Sequence, residues 1–155
     1  MKRLAFSAFM LFSAMALGTA PALAQSGHFV GTPTCTDIGT QVSCSGKVAG
    51  LGGTTFELRV TAVGTATVAC TNPAGNVAPG QSFTTTTVGS SGPLATPKNG
   101  SYRFRNLTTT APTAPAGSCP NDKWSASVTD VTFTSATITL LERGVVSDSE
   151  TVQVS

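Results

Sequence analysis

Alternation of apolar and polar side chains is the feature that most constrains how this chain can fold. Between Thr55 and Val63 the apolar residues occupy every second position, on Phe56, Leu58, Val60 and Ala62. A period of two is typical of an antiparallel strand with one face in a core and the other in solvent. After residue 24 no stretch shows an apolar period of 3.6 residues over three turns. The sequence therefore predicts an all-β fold.

Turn signals divide the chain into short strands. Glycine, proline and asparagine clusters recur about every 8–12 residues, a spacing typical of β-sandwiches. Asn99-Gly100 predicts a hairpin turn leading into Ser101–Leu107, and a slip in the apolar phase near Asp130 predicts a β-bulge. The segment from Thr108 to Pro120 is rich in Thr, Ala and Pro and predicts a surface excursion. We expect an immunoglobulin-like antiparallel β-sandwich of seven to nine strands.

The first 24 residues carry the features of a bacterial signal peptide. A basic start, MKRL, precedes an apolar run from Ala5 to Leu17, and Ala22-Leu23-Ala24 is a small-x-small cleavage pattern. The run is shorter than the about 20 residues that a spanning helix needs. We expect cleavage between Ala24 and Gln25, a single domain over residues 25–155, and a secreted protein with no membrane insertion after signal cleavage.

The net charge restricts the class of partner. The chain has nine Lys and Arg residues and seven Asp and Glu residues, and Lys2 and Arg3 lie in the leader. Removal of the leader leaves seven charges of each sign, so the net charge falls from +2 to zero. This excludes a strongly basic nucleic-acid or anionic-membrane binder, and we expect no nucleic-acid partner.

Four cysteines in an exported chain predict two disulfides, for which three pairings exist. Cys35 and Cys44 are symmetric about Gly39-Thr40, so a two-residue hairpin loop there would place them opposite each other. This favours a Cys35–Cys44 bridge and, by elimination, a Cys70–Cys119 bridge. A metal site is disfavoured because there is one His and no C-x-x-C motif. We expect no metal and no cofactor.

Catalytic residues are not apparent in the sequence. The single His, His28, lies near the start of the predicted domain and is expected to be an exposed edge-strand residue. A hydrolase would need two facing carboxylates, and the seven are scattered: Asp37, Glu57, Asp122, Asp130, Glu142, Asp148 and Glu150. We therefore predict a protein without catalytic residues.

A candidate binding surface is formed by Trp124, Tyr102, Arg103 and Arg105. Trp124 and Tyr102 are the aromatics most suited to a binding platform, although core positions are the commoner location for such residues. Arg103 and Arg105 alternate with inward residues and, with Arg59, predict a basic strip on one sheet face.

Several segments resemble a group of small secreted bacterial proteins of unassigned activity. The matching residues are FVGTPTC at 29–35, SGKVAGLG at 45–52, ACTNPAGNVAPGQ at 69–81 and VTDVTFTSATIT at 128–139. The resemblance implies one sandwich domain with a Cys70–Cys119 bridge, and it implies no activity. A fainter similarity, over Val68–Pro73, is to the neocarzinostatin-type apoproteins, whose cysteine spacings differ.

Three functions are consistent with these features. The first is a non-enzymatic extracellular or cell-envelope module that binds an unknown polymer or protein. The second is a carrier of a small apolar ligand, as in the neocarzinostatin-type proteins, which would need an apolar pocket in the sandwich. The third is a small secreted hydrolase that uses a carboxylate pair.

Overall fold

The computed structural model describes residues 26–155. The predicted signal peptide, residues 1–24, and its cleavage position between Ala24 and Gln25 lie outside the described residues. Residues 26–155 form ten strands and no helix. The strands are β1 His28–Phe29, β2 Thr34–Asp37, β3 Val42–Ala49, β4 Thr55–Thr71, β5 Val77–Pro79, β6 Phe83–Ser90, β7 Leu94–Ala95, β8 Tyr102–Thr108, β9 Ser125–Glu142 and β10 Val145–Gln153. No helix long and apolar enough to cross a membrane occurs in this described part of the chain.

The strands form two antiparallel sheets that pack as a sandwich, as predicted. In the first sheet, β1 and β2 pair with one side of β3, and β8 pairs with the other side. In the second sheet, β10 pairs with β9 and β9 with β4, while β5, β6 and β7 follow one another along the far side of β4. The ten strands therefore occupy three rows in one sheet and four in the other.

Strand β4 continues through Gly64 as a single strand of 17 residues. The β4–β9 register shifts there, and a Cβ on Gly64 would lie 2.7 Å from the carbonyl oxygen of Thr132. Glycine thus allows the bulged partner strand to approach closely. The predicted bulge near Asp130 is confirmed, since Asp130 pairs with Thr67 and the next pair of the ladder is Val128 with Val68.

The inward residues of both sheets form one core. The alternating residues of β4 that the sequence placed inside are buried, and Leu58 faces the fully buried Leu140 of β9 across the ladder. Each such aliphatic side chain contributes about 1.5–3 kcal/mol through removal from water. The largest fully buried side chains are Phe56, Leu58, Ile138, Leu140, Val42, Val48, Val60, Val68, Val131, Thr109, Cys35 and Cys44.

Both predicted disulfides are confirmed. Cys35 and Cys44 lie opposite each other on β2 and β3 with their Cα atoms 4.1 Å apart. The backbone N–H of Ile38 donates to the carbonyl of Gln41 at 2.9 Å, as expected for a two-residue loop. The second disulfide joins Cys70 to Cys119, which are 49 positions apart in the sequence. It attaches the segment 109–124, which has no strand, to β4.

Backbone hydrogen bonds tie the two sheets together at the end of β8. The N–H of Thr109 donates to the carbonyl of Val42 in the first sheet at 3.0 Å, and the N–H of Thr110 donates to the carbonyl of Val88 in the second at 2.9 Å.

Asn99-Gly100 forms a turn, but the predicted hairpin is wrong. The strand before the turn, β7, pairs with β4, whereas β8 pairs with β3. The turn therefore carries the chain from one sheet to the other, because local turn chemistry does not choose the strand with which the next segment pairs.

Candidate functional site

Strand β8 presents two chemically different faces. Its inward residues are Phe104, which is buried, and Tyr102, which is half-buried and packs edge-on against Phe56 with ring centroids 5.2 Å apart. Its outward residues include Arg103 and Arg105, and both are exposed. Tyr102 therefore supports the core at the edge of the sandwich, and the two arginines are available to a partner.

The structure adds a residue that the sequence analysis did not select. On the neighbouring strand β3, Lys47 lies directly opposite Arg103 in the ladder. Side chains opposite each other in an antiparallel pair have Cβ atoms about 4.5–5.5 Å apart, and like charges at such positions destabilise the sheet. We call the three residues Lys47, Arg103 and Arg105 the basic face. Only the register of β3 against β8 reveals that Lys47 belongs to it.

Arg59 does not belong to the basic face, so this part of the predicted strip is wrong. Arg59 lies on β4, in the other sheet, and its guanidinium donates to the Glu57 carboxylate at 2.7 Å. The hydrogen bonds from Arg59 and then from Ser90 hold the pKa of Glu57 below its usual value. Among residues 26–155, Arg59 and Glu57 form the one ion pair. The three cations of the basic face therefore make no ion pair with an acidic side chain of these residues.

A bulge in β8 lies next to the basic face. The β3–β8 register shifts between Cys44 and Gly46, and Asn106 has a φ of 56°. Positive φ is uncommon outside glycine, and Asn is one of the residues that tolerates it. The hydroxyl of Thr108 donates to the carbonyl of Asn106 at 2.9 Å. Bulges of this kind change the direction of side chains and recur beside binding sites.

An open cavity of about 360 Å³ lies where β8 passes the second sheet. We call it the edge cavity. Arg105 belongs both to the basic face and to the edge cavity. The cavity is lined by Leu58, Ser90, Ser91, Leu94, Tyr102, Phe104, Arg105, Asn106, Leu107 and Thr108. Its polar groups can donate and accept hydrogen bonds, and its arginine can pair with an anion.

Trp124 lies far from the other three candidate residues. It is half-buried and immediately precedes β9, whose first residue, Ser125, pairs with Thr71 at the end of β4. Tyr102 packs on Phe56, near the start of the same strand. Fifteen residues of extended strand span about 50 Å. The four predicted residues therefore do not form one surface, because the length of β4 separates Trp124 from Tyr102, Arg103 and Arg105.

Glu142 links three parts of the chain at the end of the β9–β10 hairpin. Its carboxylate accepts hydrogen bonds from the N–H of Gly27 at 2.7 Å, from the N–H of Gly52 at 3.0 Å and from the hydroxyl of Ser147 at 2.8 Å. Partial burial acts to raise the pKa of Glu142, but these hydrogen bonds together hold that pKa below its usual value. A general acid needs a raised pKa, so this carboxylate is suited to holding structure together.

A second carboxylate of the β9–β10 hairpin, Asp148, also accepts backbone hydrogen bonds. Its Oδ2 atom accepts the N–H of Phe29 at 2.8 Å, and its Oδ1 atom accepts the N–H of Ser149 at 2.8 Å. Both carboxylates thus anchor the first strand to the β9–β10 hairpin.

Glu142 also borders a second open cavity of about 340 Å³, which includes Arg143 and the exposed Val145 and Val146.

The described residues contain no group of three or more His, Cys, Asp and Glu side chains that could hold a metal ion. The four cysteines are bonded to one another in disulfides. His28 is exposed, and its Nδ1 atom lies 3.4 Å from the carbonyl oxygen of Ser26.

Comparisons with known proteins add no function. No protein-family model and no curated protein match the chain. Among solved structures, Bacteroides uniformis beta-glucuronidase 2 covalently bound to cyclophellitol-6-carboxylate aziridine matches with a TM-score of 0.33 and 14% identity, over 81% of this chain and 14% of that chain. Another Bacteroides uniformis beta-glucuronidase structure matches with a TM-score of 0.29 and 13% identity, over the same shares. The chain spans 14% of the length of these enzymes, and similarities of this size carry no inference about fold or function.

Proposed function

We propose that the protein is a secreted, non-enzymatic binding module of immunoglobulin-like architecture that contacts an extracellular or cell-envelope polymer or protein through strand β8. Residues 1–24 support bacterial export, and two disulfides suit an oxidising compartment. The observation that carries the proposal is the position of Arg105, which joins the basic face, with its exposed arginines and half-buried Lys47, to the edge cavity.

The position of this site on the sheet supports a binding role. Arg103 and Arg105 extend from a strand whose backbone is paired with β3 and whose inward residue Phe104 is buried. Side chains on a rigid strand lose little backbone freedom on binding, which favours affinity. The positive φ of Asn106 adds local strain of the kind that functional sites retain.

The two alternative functions have less support. A carrier of an apolar ligand needs a chamber between the sheets, and Leu58, Ile138 and Leu140 are fully buried there. A hydrolase needs a carboxylate pair with separated pKa values, and Glu142 and Asp148 accept hydrogen bonds from backbone N–H groups of the first strand.

Sedimentation with the insoluble cell envelope tests the proposal. The full chain, expressed with its leader and recovered after export, is incubated with envelope particles and the bound fraction is measured. We expect binding that falls at least about tenfold in Arg105→Ala, since a charge-assisted hydrogen bond contributes about 1.5–3 kcal/mol. Lys123→Ala, in the segment before β9, serves as the control for loss of one positive charge. Absence of sedimentation, or equal loss in both variants, would contradict the proposal.

A further inference from the structure

We propose that the ligand of the basic face is a carboxylate-bearing polysaccharide, which lies across Lys47, Arg103 and Arg105 and places a sugar in the edge cavity. This inference rests on the binding function proposed above and names its ligand class.

Charge is distributed unevenly between the two sheets. Three of the seven basic residues outside the leader form the basic face. One acidic residue, Asp37 at the end of β2, lies in the first sheet, and its carboxylate accepts the N–H of Phe133 in the second sheet. Asp122 is in the segment 109–124, and the other five acidic residues are on strands of the second sheet. The five are Glu57, Asp130, Glu142, Asp148 and Glu150. A chain with no net charge after leader removal thus presents one locally cationic surface, which is complementary to an anionic partner.

The spacing of the cations suits a polymer. Arg103 and Arg105 are two residues apart on β8, so their Cα atoms are about 6.5–7 Å apart, and Lys47 is one strand away at about 5 Å. A guanidinium binds a planar carboxylate through two parallel hydrogen bonds, whereas an ammonium acts as a point charge. Three cations in two adjacent rows can engage successive carboxylates along one chain.

The edge cavity supports a sugar as the repeating unit. Beside Arg105 the cavity presents the side-chain amide of Asn106 and the hydroxyl oxygens of Ser90 and Thr108, whose protons are donated to Glu57 and to the Asn106 carbonyl. The amide can donate to and accept from sugar hydroxyls, and the two hydroxyl oxygens can accept from them. A nucleic acid is less suited, because single-stranded binding depends on exposed aromatic platforms and Tyr102 packs against Phe56.

The unliganded state carries an electrostatic cost that such a ligand removes. Lys47 and Arg103 repel each other across the β3–β8 ladder. A carboxylate between them replaces this repulsion with two attractions. Binding should therefore raise the melting temperature of the protein, and the increase should diminish as salt screens the charges.

Isothermal titration with three polymers provides the test. The probes are alginate, which carries carboxylates, dextran sulfate, which carries sulfates, and neutral dextran. We expect the full exported chain to bind alginate more tightly than dextran sulfate and not to bind dextran. The double variant Arg103→Gln/Arg105→Gln should weaken alginate binding by about 100-fold, about tenfold for each arginine.

A matched control separates the basic face from total charge. Lys123→Gln/Arg143→Gln removes two positive charges at exposed positions outside both the basic face and the edge cavity, and should keep alginate binding within about twofold. Equal loss in both double variants, tighter binding of dextran sulfate, or no binding of alginate would overturn the ligand class. If the protein still sediments with envelopes through Arg105 in those cases, the proposed binding function stands and this inference alone fails.

Discussion

Substitution Glu142→Ala should release the first strand from the end of the sandwich. Alanine removes both carboxylate oxygens, so neither N–H group that Glu142 accepts keeps its partner. Gly27 is buried and its N–H donates to Oε2 of Glu142, whereas Gly52 is exposed and its N–H donates to Oε1. Water can replace the partner of Gly52 but has less access to Gly27.

The expected loss of stability follows from the buried N–H of Gly27, which loses its acceptor. A buried donor left without an acceptor costs about 1–3 kcal/mol, and the donor at exposed Gly52 adds little. We therefore expect Glu142→Ala to lower the free energy of unfolding by about 1–3 kcal/mol at pH 7. Glu150→Ala, on the same hairpin, removes the same charge and should change that free energy by less than about 0.5 kcal/mol.

Urea denaturation at pH 7 and in acid measures the effect. Because the folded-state pKa of Glu142 is lowered, its stabilising contribution is complete above the unfolded value of about 4.3 and is lost as pH falls through the folded value. The difference in unfolding free energy between the natural chain and Glu142→Ala should therefore narrow on acidification. Hydrogen exchange at the Gly27 amide should accelerate in the variant. The reasoning would be refuted if Glu142→Ala were as stable as Glu150→Ala at pH 7 with the Gly27 amide still protected.

Three further predictions concern the scaffold of the site. Leu58→Ala removes a fully buried side chain that also borders the edge cavity, and urea denaturation should show that the free energy of unfolding falls by about 2–5 kcal/mol. A fall below about 1 kcal/mol would mean that the core collapses around the gap. Gly89→Ala would place a Cβ 2.1 Å from the carbonyl oxygen of Thr108, so thermal melting should shift down by several degrees, and an unchanged midpoint would contradict the close approach. Replacement of both Cys70 and Cys119 by Ser should cost about 4 kcal/mol from chain entropy, which calorimetry would measure, and an effect under 1 kcal/mol would show that the closed loop is not a stabilising constraint.

Strand positions and the Cys35–Cys44 pairing could be predicted because both depend on residues close together in the sequence, and the Cys70–Cys119 pairing followed by elimination. The alternation over Thr55–Val63 specifies which side chains face inward whatever strand lies beside them. The symmetry of Cys35 and Cys44 about a two-residue loop likewise needs no distant residue. The phase slip near Asp130 revealed a bulge for the same reason.

The binding site could be predicted only in part. Arg103 and Arg105 were identified because they alternate with inward residues on one strand. Lys47 was not identified, because its position opposite Arg103 depends on the register between β3 and β8. Trp124 was grouped with Tyr102 on residue type, and the length of β4 separates them.

The sequence by itself determined the class of fold, the alternation of inward and outward residues, the two bridges and the lack of net charge in residues 25–155. The tertiary structure decided which distant groups meet. In the folded chain, the buried N–H of Gly27 donates to the carboxylate of Glu142, 115 positions away in the sequence. Arg59 lies in the second sheet, whereas the basic face lies in the first, and the Asn99-Gly100 turn connects the two sheets. The physical reason is that side-chain direction follows from the local backbone, whereas neighbours across strands follow from register and from the packing of one sheet on the other.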